Sequence, residues 1–407
     1  MNLVEKELIY PTDERFNLIK ELTHLSKNLY NASLYDVRQY YFETKKYRSW
    51  KSQRPIFTKN HNEDYYALQS HVAGEVLMQV GRQFLSFFNN KTTTNKRIPR
   101  YKDKNGFNIV TFPKLAISKD VEFDENRNIY TYTLCRKSYN LKVESTKPHI
   151  KMVKFSYDEN NDVIKCFKIY EVEEPKIKKD NSRYFSIDPG LNNIVAVFNN
   201  IGIRPFLYNG RPIKSINQYY NKNLAKLQSE LPNNIKSSKA IKSLSLKRSN
   251  KIDYEMHKIS NHIIQLAVDN NISKIIVGNN SGWKDGINIG KRNNQNFVNI
   301  PHSRLFKQLE YKGLLSGIEV IITEESYTSK ASFFDKDEVP IYDLNEKQEY
   351  TFSGKRIKRG LYKDSKGNIY NADLNGAGNI MRKVSDKAYK NIGKTRELIQ
   401  RPILVTL

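Results

Sequence analysis

Cysteine is nearly absent from this chain. Cys135 and Cys166 are the only two in 407 residues, too few for a disulfide framework and too far apart for a Cys-x-x-Cys metal motif. Zinc is not expected. Long apolar runs are missing as well: nothing approaches the roughly 20 residues that span a bilayer, and the opening MNLVEKELIY lacks the pattern of a signal peptide. A soluble intracellular protein is the expectation. Acid is in short supply, with 43 Asp+Glu against 68 Lys+Arg and a formal net charge of +25. That balance points to a polyanionic partner, because each neutralised phosphate releases counterions. Aromatic residues, by contrast, are plentiful at 12% within a 38% hydrophobic composition, ample for packed cores in two or three domains. Rings among cations also suit stacking on unpaired bases, although cores and solvated faces account for most such residues in any globular protein.

Along the chain, Leu3 to Tyr10 alternates apolar and polar residues as a strand does. From Phe16, the spacing of Ile19, Leu22, Leu25 and Leu29 predicts an amphipathic helix. A second helix is expected from Leu68 to Phe88, with Val72, Val76, Val80 and Phe84 on one stripe. The basic stretch KTTTNKRIPRYKDKNGFNIVTFP, residues 91–113, reads as a loop. Short alternating runs between 128 and 174 suggest a small antiparallel barrel completed by the N-terminal strand. KIKKDNS at 176–182 reads as a linker. Beyond it, RYFSIDPG and NIVAVF form two strands around a tight turn. A long polar helix follows, with Met256, Ile259, Ile263 and Leu266 on one stripe, then a buried strand KIIVG, a helix near 303–315, a second buried strand IEVIITEE and a final helix from about Asn371. An antiparallel hairpin followed by strands alternating with helices is an RNase H-like pattern.

Hydrolysis of a phosphodiester at a two-metal site needs carboxylates from separate segments, converging on divalent ions that clamp the attacking and leaving oxygens. Magnesium suits such oxygen ligands. Asp188 ends the first strand just before Pro189-Gly190, although an aspartate there also suits a plain turn. Asp373 sits in NADLNGAGNI at a helix start, where either Asn371 or Asp373 suits the cap. A strand-end aspartate first and a helix-start aspartate last is the RuvC arrangement.

FSIDPGLNNIVAV, KRSNKIDYEMHKISNHII with its His-Lys-x-x-Ser signature, and NADLNGAGNI together resemble, in order, motifs of the TnpB nucleases of insertion sequences. That family is related to type V CRISPR effectors and to the eukaryotic Fanzor proteins. Upstream, PRYKDKNGFNIVTFP and SHVAGEVLMQVGRQFLSFF are similar to its N-terminal half. The resemblance implies a β-barrel wedge domain (residues 1–12 and 91–178) holding a helical recognition module (13–90), then an α/β RuvC-like nuclease domain (179–407) with a lid insertion (326–370). It also implies a guide RNA made from the transposon end and a double-stranded DNA target, with base pairing supplying sequence specificity.

Two departures stand out. Relatives carry a catalytic glutamate at the end of the strand that here reads KIIVGNN, with Gly278, Asn279 and Asn280 at that point. The next strand ends in Thr323-Glu324-Glu325-Ser326, and some relatives use a relocated glutamate there. Side-chain alternation lets only one of the pair face the site. Glu325 is favoured, with Glu324 as the alternative and two surface charges as the plain reading. The second departure is a segment after YTSKASFFD that lacks the four cysteines of a zinc ribbon and reads as a metal-free hairpin or lid. Its Lys355, Arg356, Lys358 and Arg359 would approach the nucleic-acid backbone, as would Arg97, Arg100 and Lys102 upstream and Lys284, Lys291 and Arg292 in GWKDGINIGKRNNQNF. That last stretch is no P-loop. His257 reads as a packing histidine rather than a base.

The expectation is therefore a magnesium-dependent, RNA-guided DNA endonuclease of a transposable element, with Asp188, Glu325 and Asp373 holding two Mg2+ ions. It would be cytoplasmic and nucleoid-associated in a bacterium, or nuclear in a eukaryotic or viral setting. The rivals are a nuclease-impaired RNA-guided repressor and a guide-independent transposase.

Overall fold

In the computed structural model the described residues are 1–89, 98–232, 234–279, 300–341, 349–358 and 360–407. The chain divides into two units, Met1–Glu173 and Glu174–Leu407.

The first unit begins with β1 (Asn2–Ile9), followed by the helices α1 (Phe16–Thr44), α2 (Trp50–Lys59), α3 (Glu63–Tyr66) and α4 (Ser70–Asn89). The expected stripes lie inside: Ile19, Leu22, Leu29, Val72, Val76, Val80 and Phe84 are all buried, and Leu25 is partly so. α1 and α4 pack together, as two such stripes demand. The short α2 and α3 carry no apolar period to announce them. Each is set instead by a cap, with Ser49 Oγ accepting from Ser52 N–H (3.2 Å) and Asn62 Oδ1 accepting from Tyr65 N–H (2.9 Å).

The strands β2 (Val110–Pro113), β3 (Ile117–Asp124), β4 (Ile129–Leu134), β5 (Leu141–Ser145), β6 (Ile150–Asp158) and β7 (Val163–Glu171) complete this unit. They pair as a four-stranded sheet, β1-β7-β6-β2, and a three-stranded sheet, β3-β4-β5, antiparallel throughout. The N-terminal strand thus closes onto β7, from Asn2 opposite Glu171 to Ile9 opposite Ile164.

The second unit is built on β8 (Tyr184–Pro189), β9 (Asn193–Asn199), β10 (Phe206–Asn209), α5 (Arg211–Ser229), α6 (Lys239–Asp269), β11 (Lys274–Gly278), α7 (His302–Leu315) and β12 (Glu319–Thr323). A small antiparallel sheet of β13 (Lys355–Lys358), β14 (Leu361–Lys363) and β15 (Ile369–Asn371) runs directly into α8 (Ala372–Val384), and α9 (Ile392–Leu398) and β16 (Ile403–Val405) end the chain. The main sheet has the order β12-β11-β8-β9-β10-β16. β8, β9 and β10 are antiparallel neighbours, while β11 and β12 run parallel to β8. Hairpin first, parallel strands second is the RNase H-like arrangement.

Alternation along these strands divides the core in two. Phe185, Ile187, Val195, Val197, Ile275 and Val277 pack with α6 and α7 residues such as Met256, Ile259, Ile263 and Leu309 on one face. Tyr184, Ala196, Phe198 and Ile276 pack on the other with Leu374, Ala377, Ile380 and Phe333. α8 approaches closely because it presents small residues: a methyl group at Gly378 would lie 2.8 Å from the Phe333 ring. Ser186 Oγ, on the α8 side of the sheet, donates to the Ala377 carbonyl at 2.6 Å.

α8 also pins the turn that follows β12. The fully buried Asn375 accepts from Phe333 N–H (3.0 Å) and Tyr370 Oη (3.3 Å) and donates to Ala331 O (2.8 Å). Asn379 donates to Thr328 O (2.9 Å) and Ala331 O (2.7 Å). Replacing Asn375 with Ala strips partners from buried backbone groups and should cost roughly 2–4 kcal/mol. Thermal melting of the variant should be lowered by several degrees; an unchanged midpoint would contradict this anchoring role.

Candidate active site

Tyr184 and Ser186 face α8, so by the period of two Asp188 does so as well. It stands one residue before the strand's end, where Gly190 N–H donates to Ile194 O (3.1 Å) and closes the turn. Gly376 of α8 lies directly against it, and a methyl group there would collide with Asp188 Oδ2. Burial pushes the Asp188 carboxyl well above the usual range, and the charges of Glu325 and Asp373 raise it further while Arg356 opposes them.

Asp373 is in the first turn of α8 but does not cap it. Asn371 does so, its Oδ1 accepting from the N–H groups of Asp373 (2.9 Å) and Leu374 (3.1 Å). That leaves the Asp373 carboxylate for other partners. Oδ2 accepts from Asn193 Nδ2 at 2.8 Å, and Oδ1 accepts from Arg356 of β13 at 3.0 Å.

The third carboxylate arrives by an exchange of space. β11 and β12 run in register, with Gly278 beside Thr323. A Cβ built on Gly278 would lie 2.7 Å from Glu325 Oε2 and 2.5 Å from Ile380 Cδ1. Glu325 thus reaches over the bare end of β11, and a side chain at 278 would exclude it. Its Oε2 is buried with no hydrogen-bond partner. Burial, then the neighbouring Glu324, push the Glu325 carboxyl up to about 7 against the pull of Lys383.

Glu324 points elsewhere. It forms an ion pair with Lys383 of α8 and accepts from Ser326 N–H at 2.8 Å. Burial raises its carboxyl, but the hydrogen bonds from Lys383 and Ser326 outweigh that and hold it below the usual value. The pair divides as alternation requires.

Three acidic groups from separate segments therefore share one charge environment. Their chemistry, oxygen donors only, suits a hard divalent cation, and a buried carboxylate oxygen without a partner is the vacancy in bonding that such an ion would fill. Among the described residues, however, no set of three His, Cys, Asp or Glu is closed up around a common point. Both Asp373 oxygens are engaged, by Asn193 and Arg356.

The other residues singled out from the sequence are scattered. Lys355 and Lys358 are exposed on β13 beside Arg356. Arg100 is exposed, and its carbonyl accepts from Tyr30 Oη (3.5 Å). Lys102 is drawn onto α1, with its ammonium 5.1 Å from the Tyr30 ring and its N–H donating to Asn31 Oδ1 (2.9 Å). Arg97, Lys284, Lys291, Arg292 and Arg359 lie outside the described residues. His257 sits at the α6–α7 contact, 3.2 Å from Lys312 Nζ, and burial followed by that charge lowers its pKa. Two site groups were not foreseen, Asn193 and Lys383. Asn193 lies within FSIDPGLNNIVAV, but nothing local distinguishes it from a turn asparagine, and Lys383 reads as an ordinary last-turn cation.

Residues 168–284 match the family described as OrfB_IS605, probable transposase, and residues 302–380 match the Cas12f1-like TNB domain. No curated protein matches the chain by sequence. Among solved structures, it is similar to a Cas12f1 in complex with sgRNA and target DNA, at 16% identity and a TM-score of 0.52, covering 90% of this chain and 82% of that one. A CRISPR-Cas12f ternary complex also matches, at 15% identity, TM-score 0.35 and coverage of 89% and 81%. So does C2c1 of Alicyclobacillus acidoterrestris in complex with single-guide RNA, at 11% identity, TM-score 0.39 and coverage of 88% and 63%. The first shares the fold, and the latter two scores are too low to bear on it. An RNase H-like sheet, an OrfB_IS605 match and a Cas12f1-like TNB match in succession make the C-terminal unit similar to these two families, in the RuvC-like fold of the Cas12f1 structure.

Proposed function

We propose that this protein is an RNA-guided DNA endonuclease of a transposable element. The observation that carries the reading is that Glu325 lies over the bare Gly278 and Asp188 lies against the bare Gly376, with Asp188 close enough to both Glu325 and Asp373 to feel their charges. Burying the Asp188 and Glu325 carboxyls where neighbouring acids oppose their ionisation costs stability and has no packing benefit, a pattern that functional sites favour. The similar Cas12f1 was solved with sgRNA and target DNA, and a net charge of +25 suits both polyanions.

In this reading Asp188, Glu325 and Asp373 would hold two magnesium ions, which supply charge stabilisation at the attacking and leaving oxygens of a phosphodiester. The chain's own residues prepare that place. Asn193 and Arg356 orient Asp373, Lys383 draws Glu324 away so that Glu325 alone turns inward, and burial keeps water from the Glu325 oxygen. Arg356, half-exposed on the small sheet, pairs with Asp373 and lowers the Asp188 carboxyl. Lys355 and Lys358 would follow the backbone beside it, with Arg359 and, from their own segments, Arg97, Arg100, Lys102, Lys284, Lys291 and Arg292. The two antiparallel N-terminal sheets would be the walls of a wedge-type barrel and the α1–α4 helices a recognition module, together gripping the guide RNA and inspecting a short motif beside the target. The nuclease domain would begin near residue 179, with its lid at 326–370.

A second reading, guided binding without cutting, is favoured by one observation: both Asp373 oxygens are already taken. Cleavage of a guide-matched plasmid with and without Mg2+ separates the two.

Asp188→Ala should lower plasmid cleavage by on the order of ten-thousandfold while the protein still purifies with its RNA; cutting at the wild-type rate would refute the assignment. A second outcome concerns Glu325 in the absence of divalent ions. Its carboxyl is raised from 4.5 to about 7 in the folded chain, so the stability it contributes is complete below pH 4.5 and is lost as pH rises through about 7. Gln cannot ionise, so Glu325→Gln should match wild type in acid and become more stable above pH 7, by up to about 3 kcal/mol. Melting curves in EDTA between pH 4.5 and 8 measure this, and parallel profiles for the two proteins would contradict it.

A further inference from the structure

Beside Asp373 lies a cavity of about 440 Å³ with chemistry opposite to that of the carboxylates. It is lined by Asn192 and Asn193 from the β8–β9 turn, Asn209 at the end of β10, Arg211 and Lys214 from the first turn of α5, and Leu404 of β16. Three amides and two cations face it, and no acidic residue is among the lining groups.

The walls are fixed. Gly210 N–H donates to Asn192 O at 2.8 Å, joining the turn to the start of α5, and a Cβ on Gly210 would lie 2.5 Å from Leu191 O. Gly190 is equally tight, 2.6 Å from Asn193 O for an added Cβ. Lys214 Nζ hydrogen-bonds Asn192 Oδ1, and Asn209 Oδ1 accepts from Arg211 N–H at 3.0 Å. Asn193 belongs to both places, since it lines the cavity and donates to Asp373 at 2.8 Å. Arg211 is exposed and lines the cavity.

We propose that this cavity is a phosphate subsite for the DNA strand being cut, in which Arg211 and Lys214 take a phosphate flanking the one presented to Asp188, Glu325 and Asp373. The inference rests on the endonuclease reading and deepens it. A pocket of amides and cations without acid selects an oxyanion, and its volume lies within the range of ordinary ligand pockets. Leu404, 62% exposed at the edge, offers an apolar face to the adjoining sugar. Asn193 couples the two places, because the side chain that steadies the catalytic carboxylate also walls the phosphate pocket. Arg211 and Lys214 would thus be positioning residues, setting where the strand lies.

The test uses the full-length protein with its bound RNA and a set of matched targets, each carrying one uncharged methylphosphonate at a successive position around the cut. In wild type, one flanking position should slow cleavage by on the order of tenfold to a hundredfold. Arg211→Ala with Lys214→Ala should slow cleavage of unmodified DNA by a similar factor and be indifferent to that same methylphosphonate. Lys222→Ala with Lys226→Ala removes equal charge farther along the exposed face of α5 and should leave the pattern as in wild type. The same targets are then titrated against Asp188→Ala protein, so that the subsite can be read from affinity without cutting. If the flanking methylphosphonate costs as much in the Arg211/Lys214 variant as in wild type, the subsite is overturned while cutting by wild type keeps the endonuclease reading intact. If wild type does not cut but affinity still depends jointly on that phosphate and on Arg211 and Lys214, the subsite stands and the nuclease reading falls.

Discussion

Like charges brought together out of water are the constraint around which the C-terminal unit is organised. Burial raises the cost of ionising Asp188 and Glu325; the charges of Glu325 and Asp373 add to it at Asp188, and that of Glu324 adds to it at Glu325. The fold meets that cost with fixed positive charge from two directions. Arg356 arrives on the small sheet that leads into α8, and Lys383 arrives at the far end of the same helix. One helix therefore supplies an acid, Asp373, the room for a second, at Gly376, and the counter-charge that sorts the Glu324–Glu325 pair.

Room is as important as charge. In an interior packed as densely as an organic crystal, a carboxylate can reach across a neighbouring strand only where that strand leaves the space open. Gly278 is that opening. The end of β11 is bare, the turn after β12 is anchored by Asn375 and Asn379, and Glu325 lies over the space. The parallel register of β11 and β12, with Gly278 beside Thr323, puts the end of β12 within a side chain's reach of that bare end.

Much of this could be read from residue order. The alternation in FSIDPG and the apolar run KIIVG announce strands buried on both faces, the stripes Ile19–Leu22–Leu29 and Val72–Val76–Val80 announce helices, and the dipeptide Glu324-Glu325 already implies that one side chain faces inward. The contacts that complete the site are not local and so leave no such trace. Asn193 meets Asp373 across 180 residues and Lys383 meets Glu324 across 59. α2 was equally silent, because a ten-residue helix containing Pro55 has too little period to declare itself. The division of the N-terminal strands into two sheets is likewise a matter of pairing partners, which alternation alone leaves open.

The most direct measurement of the central claim is the anomalous diffraction of crystals soaked in Mn2+, an ion with the same preference for oxygen ligands as Mg2+. Manganese density between Glu325 and Asp188, with Asp373 turned from Arg356 toward it, is the predicted result. Saturating manganese with no density at these three side chains, or density bound by Glu324 instead of Glu325, would contradict it.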